Sequence, residues 1–69
     1  MPENAALAQK IKYLRKIMQQ TQFEFASNCG ISIETLSLIE RQKTNPTLET
    51  MQKIAAYTDL TVAELLEID

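Results

Sequence analysis

The chain has 69 residues, 45% hydrophobic and 23% charged, with one glycine, two prolines, one cysteine and no histidine; a single domain of this length buries about 60% of its unfolded surface. Without histidine there is no imidazole base or zinc cluster, and Cys29 alone makes no internal disulfide, so no enzyme, metal or other cofactor is expected and Cys29 reads as a buried structural thiol. The formal net charge is -2, but Lys10, Lys12, Arg15 and Lys16 face only Glu3 in residues 1–20, whereas Lys53 stands against Glu49, Asp59, Glu64, Glu67 and Asp69 after residue 45: either a basic front with an anionic partner or no more than solvated helix surface.

Leu7, Ile11, Leu14 and Met18 recur at helical spacing and predict a first helix from about Ala5 to Gln19, with Asn4 as its cap. Thr21 followed by Glu24 is a capping box that starts a second helix at Gln22. That helix lasts to about Asn28, because Gly30 offers a left-handed stop at low cost. Ser32 caps a third helix, Ile33 to about Arg41. At about 100° per residue, Leu36, Ile39 and Glu40 fall on one side and Glu34, Ser37, Leu38 and Arg41 on the other; the first side is the core face. Gln42 to Pro46 reads as a loop, since Asn-Pro disfavours helix before the proline. Thr47 caps a fourth helix with Leu48, Met51, Ile54 and Ala55 as its apolar set, and Thr61 with Glu64 opens a short fifth carrying Val62, Leu65 and Leu66. No useful period-two alternation appears, so the expected fold is all-α, one domain over residues 1–69.

From Gln22 to Arg41 the chain runs helix, glycine turn, helix, with Ala26 small where the two must approach and Leu36 and Ile39 anchoring the second from below. That is the physical recipe of a helix-turn-helix. The chain here resembles the Xre, or lambda-repressor-like, class of bacterial and phage regulators, through "IKYLRK" (11–16), "TQFEFA" (21–26), "GISIETLSLIER" (30–41), "NPTLETMQKIA" (45–55) and "LTVAELL" (60–66). These blocks follow the expected order and spacing and cover nearly the whole chain from Leu7.

The resemblance implies a compact five-helix DNA-binding domain with its helix-turn-helix at helices 2 and 3, about 22–41, in a cytoplasmic protein that is bacterial or phage-encoded. It assigns phosphate binding to Thr21 and Gln22, where free amides attract anions, and to Arg41, Lys43, Thr44 and Asn45 in the loop after helix 3. Ser32, Ile33, Glu34, Ser37 and Leu38 match the base-reading positions of a recognition helix. Arg15 and Glu40 match a structural salt bridge; the helical wheel separately puts Glu40 toward the core, where a carboxylate needs a partner. The expected partners are double-stranded DNA and a second copy in a homodimer on an inverted repeat, with no membrane and no small-molecule ligand.

Two departures stand out. Gln19 and Gln20 replace a usual glycine and apolar residue after helix 1, and Gln42 replaces a usual glycine after helix 3, so those caps must be strained or rebuilt. Helix 3 also has no Arg, Lys, Asn or Gln between Ser32 and Glu40. Glu34 faces a polyanion unless it accepts from a cytosine amino group, and Ile33 and Leu38 suit only apolar groups such as a thymine methyl. Either specificity rests on methyl contacts, shape and backbone grip, in a repressor or controller of transcription, or the fold serves as a protein-interaction module, an antirepressor or adaptor. Val62, Leu65, Leu66 and Ile68 either form the dimer interface or only close the core.

Overall fold

The computed structural model describes residues 2–67, with side chains from residue 5 onward. Five helices follow in order: α1 (Pro2–Met18), α2 (Gln22–Cys29), α3 (Ile33–Glu40), α4 (Leu48–Thr58) and α5 (Val62–Leu65). None is long and apolar enough to cross a membrane. The all-α expectation holds among the described residues, and four of the expected caps are present. Thr21, Ser32, Thr47 and Thr61 are extended and accept the amide three residues on through their hydroxyls. Thr21 and Thr61 complete capping boxes with Glu24 and Glu64. Each satisfies amide donors that a helix start otherwise leaves unpaired.

The helix ends share one device. At Gln19, Gly30, Gln42 and Asp59 the backbone turns left-handed, with φ of 57°, 82°, 58° and 60°. In each case the following amide reaches back to the carbonyl five residues earlier: Gln20 to Arg15 at 2.9 Å, Ile31 to Ala26 at 3.0 Å, Lys43 to Leu38 at 2.9 Å and Leu60 to Ala55 at 3.1 Å. This is the Schellman closure. The two glutamine caps are therefore strained, not rebuilt, since a side chain in this region costs about 1–2 kcal/mol.

Leu7, Ile11, Phe25, Leu36, Ile39, Ile54 and Leu65 are fully buried and form the core with Ala26, Cys29 and Ala55. α1 packs on α3 and α5, and α2 packs on α3 and α4, so α3 is held from two sides. Each large apolar side chain so buried contributes about 1.5–3 kcal/mol.

Several expectations shift. α1 begins at Pro2, whose missing amide costs nothing at a first helical position, so Asn4 lies inside the helix and does not cap it. Met18 is 37% and Leu48 59% exposed; each is a terminal residue of its helix, beyond the rim of the core. Leu65 closes the core, while Val62 and Leu66 only pack partly against it. Ile68, also assigned to that set, lies outside the described residues.

Candidate nucleic-acid interface

Ala26 makes the turn between α2 and α3 possible. It is buried, small enough for close approach, and its carbonyl accepts the amides of both Gly30 and Ile31 at 3.0 Å. Gly30 takes the left-handed conformation with open space where a Cβ would stand, so the chain reverses without steric cost. α3 then starts at once from the Ser32 cap.

The predicted division of α3 is the one observed. Leu36, Ile39 and Glu40 are buried; Ile33 (43%), Leu38 (37%), Glu34 and Arg41 are exposed, and Ser37 is half-buried. Ser32 is more committed than a base reader would be: its Oγ accepts the Thr35 amide at 3.0 Å and donates to the Thr35 hydroxyl at 2.8 Å. The outward surface of α3 thus consists of Ile33, Glu34, Ser37 and Leu38. Glu34 in the first turn is favoured by the positive end of the helix dipole, which offsets part of its charge.

Behind this face lies an ionic anchor. Arg15 Nε donates to Glu40 Oε2 at 2.7 Å and its Nη2 to Oε1 at 2.9 Å, a two-point pairing, while Nη1 donates to the Gln20 carbonyl at 3.2 Å. Glu40 is 3% exposed, so its charge is out of water and needs these donors. The hydrogen bond to Glu40 raises the Arg15 pKa above its ordinary value, against a smaller lowering by burial. Gln22 Nε2 completes the set by donating to Glu40 Oε1 at 3.1 Å. The side chain assigned to phosphate is therefore engaged with the anchor through one of its two amide hydrogens. Thr21 uses its own amide on Glu24 at 2.9 Å and its Oγ as acceptor at 3.1 Å, leaving the hydroxyl hydrogen for an anion.

Because Gln22 touches Glu40, the first turn of α2 stands beside the last turn of α3 and the loop that follows. Thr21, Gln22, Arg41 and the start of that loop are gathered at one end of α3; Ile33 and Glu34 lie at the other, about 10 Å along the axis. In the loop, Lys43 is exposed, Thr44 half-buried and Asn45 exposed. Arg41 Nε folds back toward the Ser37 carbonyl at 3.4 Å, a weak contact.

α2 is fixed at its far side by Tyr57 of α4, whose hydroxyl accepts from Gln20 Nε2 at 2.6 Å and Asn28 Nδ2 at 3.2 Å and whose ring meets Phe25 edge-on at 5.4 Å. Gln20 Oε1 is buried without a partner, the consequence of a polar residue where an apolar one would fit. Only the place of Tyr57, three residues after Ile54, hints at this brace in the sequence.

The chain matches a family model described as helix-turn-helix over residues 11–65. It is 38% identical over 61 residues to the HTH-type transcriptional regulator DdrOP3 of Deinococcus deserti, a match covering 88% of this chain and 47% of that one. It is 36% identical to the HTH-type transcriptional regulator SinR of Bacillus subtilis, covering 88% and 56%. The chain thus spans about half the length of these relatives. Among solved structures, a hypothetical transcription factor NHTF from Neisseria superimposes with a TM-score of 0.86 at 29% identity, over 94% of this chain and 75% of that one.

Proposed function

The chain belongs to the helix-turn-helix family of transcriptional regulators, in its Xre or lambda-repressor-like class, and from that we propose that it binds double-stranded DNA sequence-specifically, as a homodimer on an inverted repeat. The observation that carries the reading is the division of α3: a buried side anchored through Glu40 to α1 and α2, and an exposed side of Ile33, Glu34, Ser37 and Leu38 with no structural duty. In this reading α3 lies in the major groove, and Thr21, Gln22, Arg41, Lys43, Thr44 and Asn45 contact the flanking phosphates. Ser32 is also among the proposed base contacts, though its cap bonds limit it to a secondary part. The regulator works in the cytoplasm of a bacterium, from a bacterial or phage gene, as a repressor or controller.

Size supports two copies per site. Half-sites one helical turn apart place two domains about 34 Å centre to centre; with a longest extent of 26 Å, little more than side-chain thickness separates them. Selection of bound fragments from random duplex DNA with the full chain should return an inverted repeat. Two exposed cations per copy, Arg41 and Lys43, predict a log–log salt slope of about −3 to −4 for the dimer, and Lys43→Ala should reduce it by about 2. Failure to bind any duplex at low salt would favour the protein-interaction reading, which a face of α3 without Arg, Lys, Asn or Gln motivates.

A further inference from the structure

The four outward residues of α3 have a definite order. At about 100° per residue, Ile33, Ser37, Glu34 and Leu38 follow one another around some 140° of the helix surface, so the two apolar side chains form the edges and the polar pair the middle. Ile33 and Leu38 remain 43% and 37% exposed, so each offers apolar surface that gains by contact with an apolar group. In a major groove the available apolar group is the C5-methyl of a pyrimidine. Glu34 stands one turn before Leu38, about 5–6 Å away between Cβ atoms, and its carboxylate accepts only. Among base edges its suitable partners are amino groups, and of these the cytosine amino group is the one adjacent to a pyrimidine C5 position.

We infer that this domain recognises its DNA through methyl groups: Leu38 and Ile33 pack on pyrimidine C5-methyls, and Leu38 does so beside a cytosine amino group that donates to Glu34. This deepens the proposed DNA binding and rests on it. The methyl can come from a thymine next to the cytosine or from 5-methylcytosine itself, which carries amino group and methyl on one ring. Adenine and guanine offer no such group, and Arg-to-guanine readout is absent from this face.

The test uses the full chain and the half-site obtained by selection from random duplex DNA. Thymines are replaced singly by deoxyuridine and cytosines singly by 5-methylcytosine, and affinities are measured for wild type, Leu38→Ala and Ile33→Ala. Both residues are exposed, so the variants keep their fold, checked by circular dichroism. Removal of a contacted thymine methyl should weaken wild-type binding about fourfold, since a buried methyl-sized group contributes that much, and the difference should vanish in the matching alanine variant. If 5-methylcytosine supplies the methyl, its introduction should tighten binding by a similar factor, again only with the side chain present. Glu34→Gln should move preference at the adjacent position from cytosine toward adenine. Tight binding to a selected site that responds to neither substitution overturns the inference and leaves DNA recognition standing; no binding to any duplex overturns both.

Discussion

Cys29 shows how one buried group acquires a pH signature. It is 7% exposed, and desolvation pushes its thiol from 9.0 up to about 11. The unfolded chain therefore loses its proton first, and the linkage has a single sign: stability is complete below pH 9 and falls as pH rises through 11. Urea midpoints measured from pH 8 to 11 should decline more steeply for the wild type than for Cys29→Ala, which removes this contribution while other alkaline groups titrate in both. At pH 8 the native thiolate population is about a hundredfold below that of an unfolded thiol, so Ellman's reagent should label native protein slowly and unfolded protein at once.

At the scale of elements, the helix starts and the helix ends were written with different clarity. Thr21 and Thr61 with their glutamates, and Ser32 and Thr47, announce α2 to α5 because a hydroxyl and a carboxylate at fixed offsets meet specific amides. The ends after α1 and α3 carry no such mark. Gln19 and Gln42 turn left-handed because the closing hydrogen bonds and the packing of the next segment demand it, against the preference of their own side chains. Gln42→Gly should raise stability by about 0.5–1 kcal/mol, the relief of strain reduced by the extra freedom glycine gives the unfolded chain. The thermal midpoint should rise by roughly 4 °C, with Gln19→Gly behaving alike. The two faces of α3 were readable because Leu36, Ile39 and Glu40 keep helical spacing; a carboxylate on the apolar side called for a partner, and the resemblance named Arg15 as that partner. Met18 and Leu48 were not, since periodicity gives a residue's angle around a helix but not whether the core extends that far along it. The engagement of Gln22 with Glu40 was equally hidden, because anchoring uses the same polar atoms that a phosphate contact would.

For the molecule as a whole, charge is unevenly distributed along the chain. The basic residues of α1 and the loop cations lie in the first two-thirds of the chain, and acids crowd the end. With Leu65 spent on the core, the apolar surface left near the chain's end is the exposed part of Val62 and Leu66, beside a cleft of about 340 Å³ lined by Ala6, Gln9, Lys10, Tyr13 and Glu67. Two half-buried side chains there fall short of the roughly 800 Å² per partner of a stable complex, so self-association through that end alone is weak, while Tyr13, Ile17, Phe23 and Leu48 stand exposed elsewhere. Sedimentation should therefore show monomers at low micromolar concentration, dimers emerging at high micromolar concentration, and two copies on a full inverted repeat. A monomer throughout, with one copy per repeat, would remove the dimer from the proposal.

The separation of duties within α3 has a further outcome for how such a chain can change over generations. Ile33, Glu34, Ser37 and Leu38 support neither the core nor the Arg15–Glu40 pair. Single exchanges there leave the core contacts and the ion pair in place. If α3 reads DNA as proposed, binding preference and thermal robustness are inherited through different positions, and a duplicated copy can drift to new target sites by one codon at a time while its scaffold stays under unchanged selection.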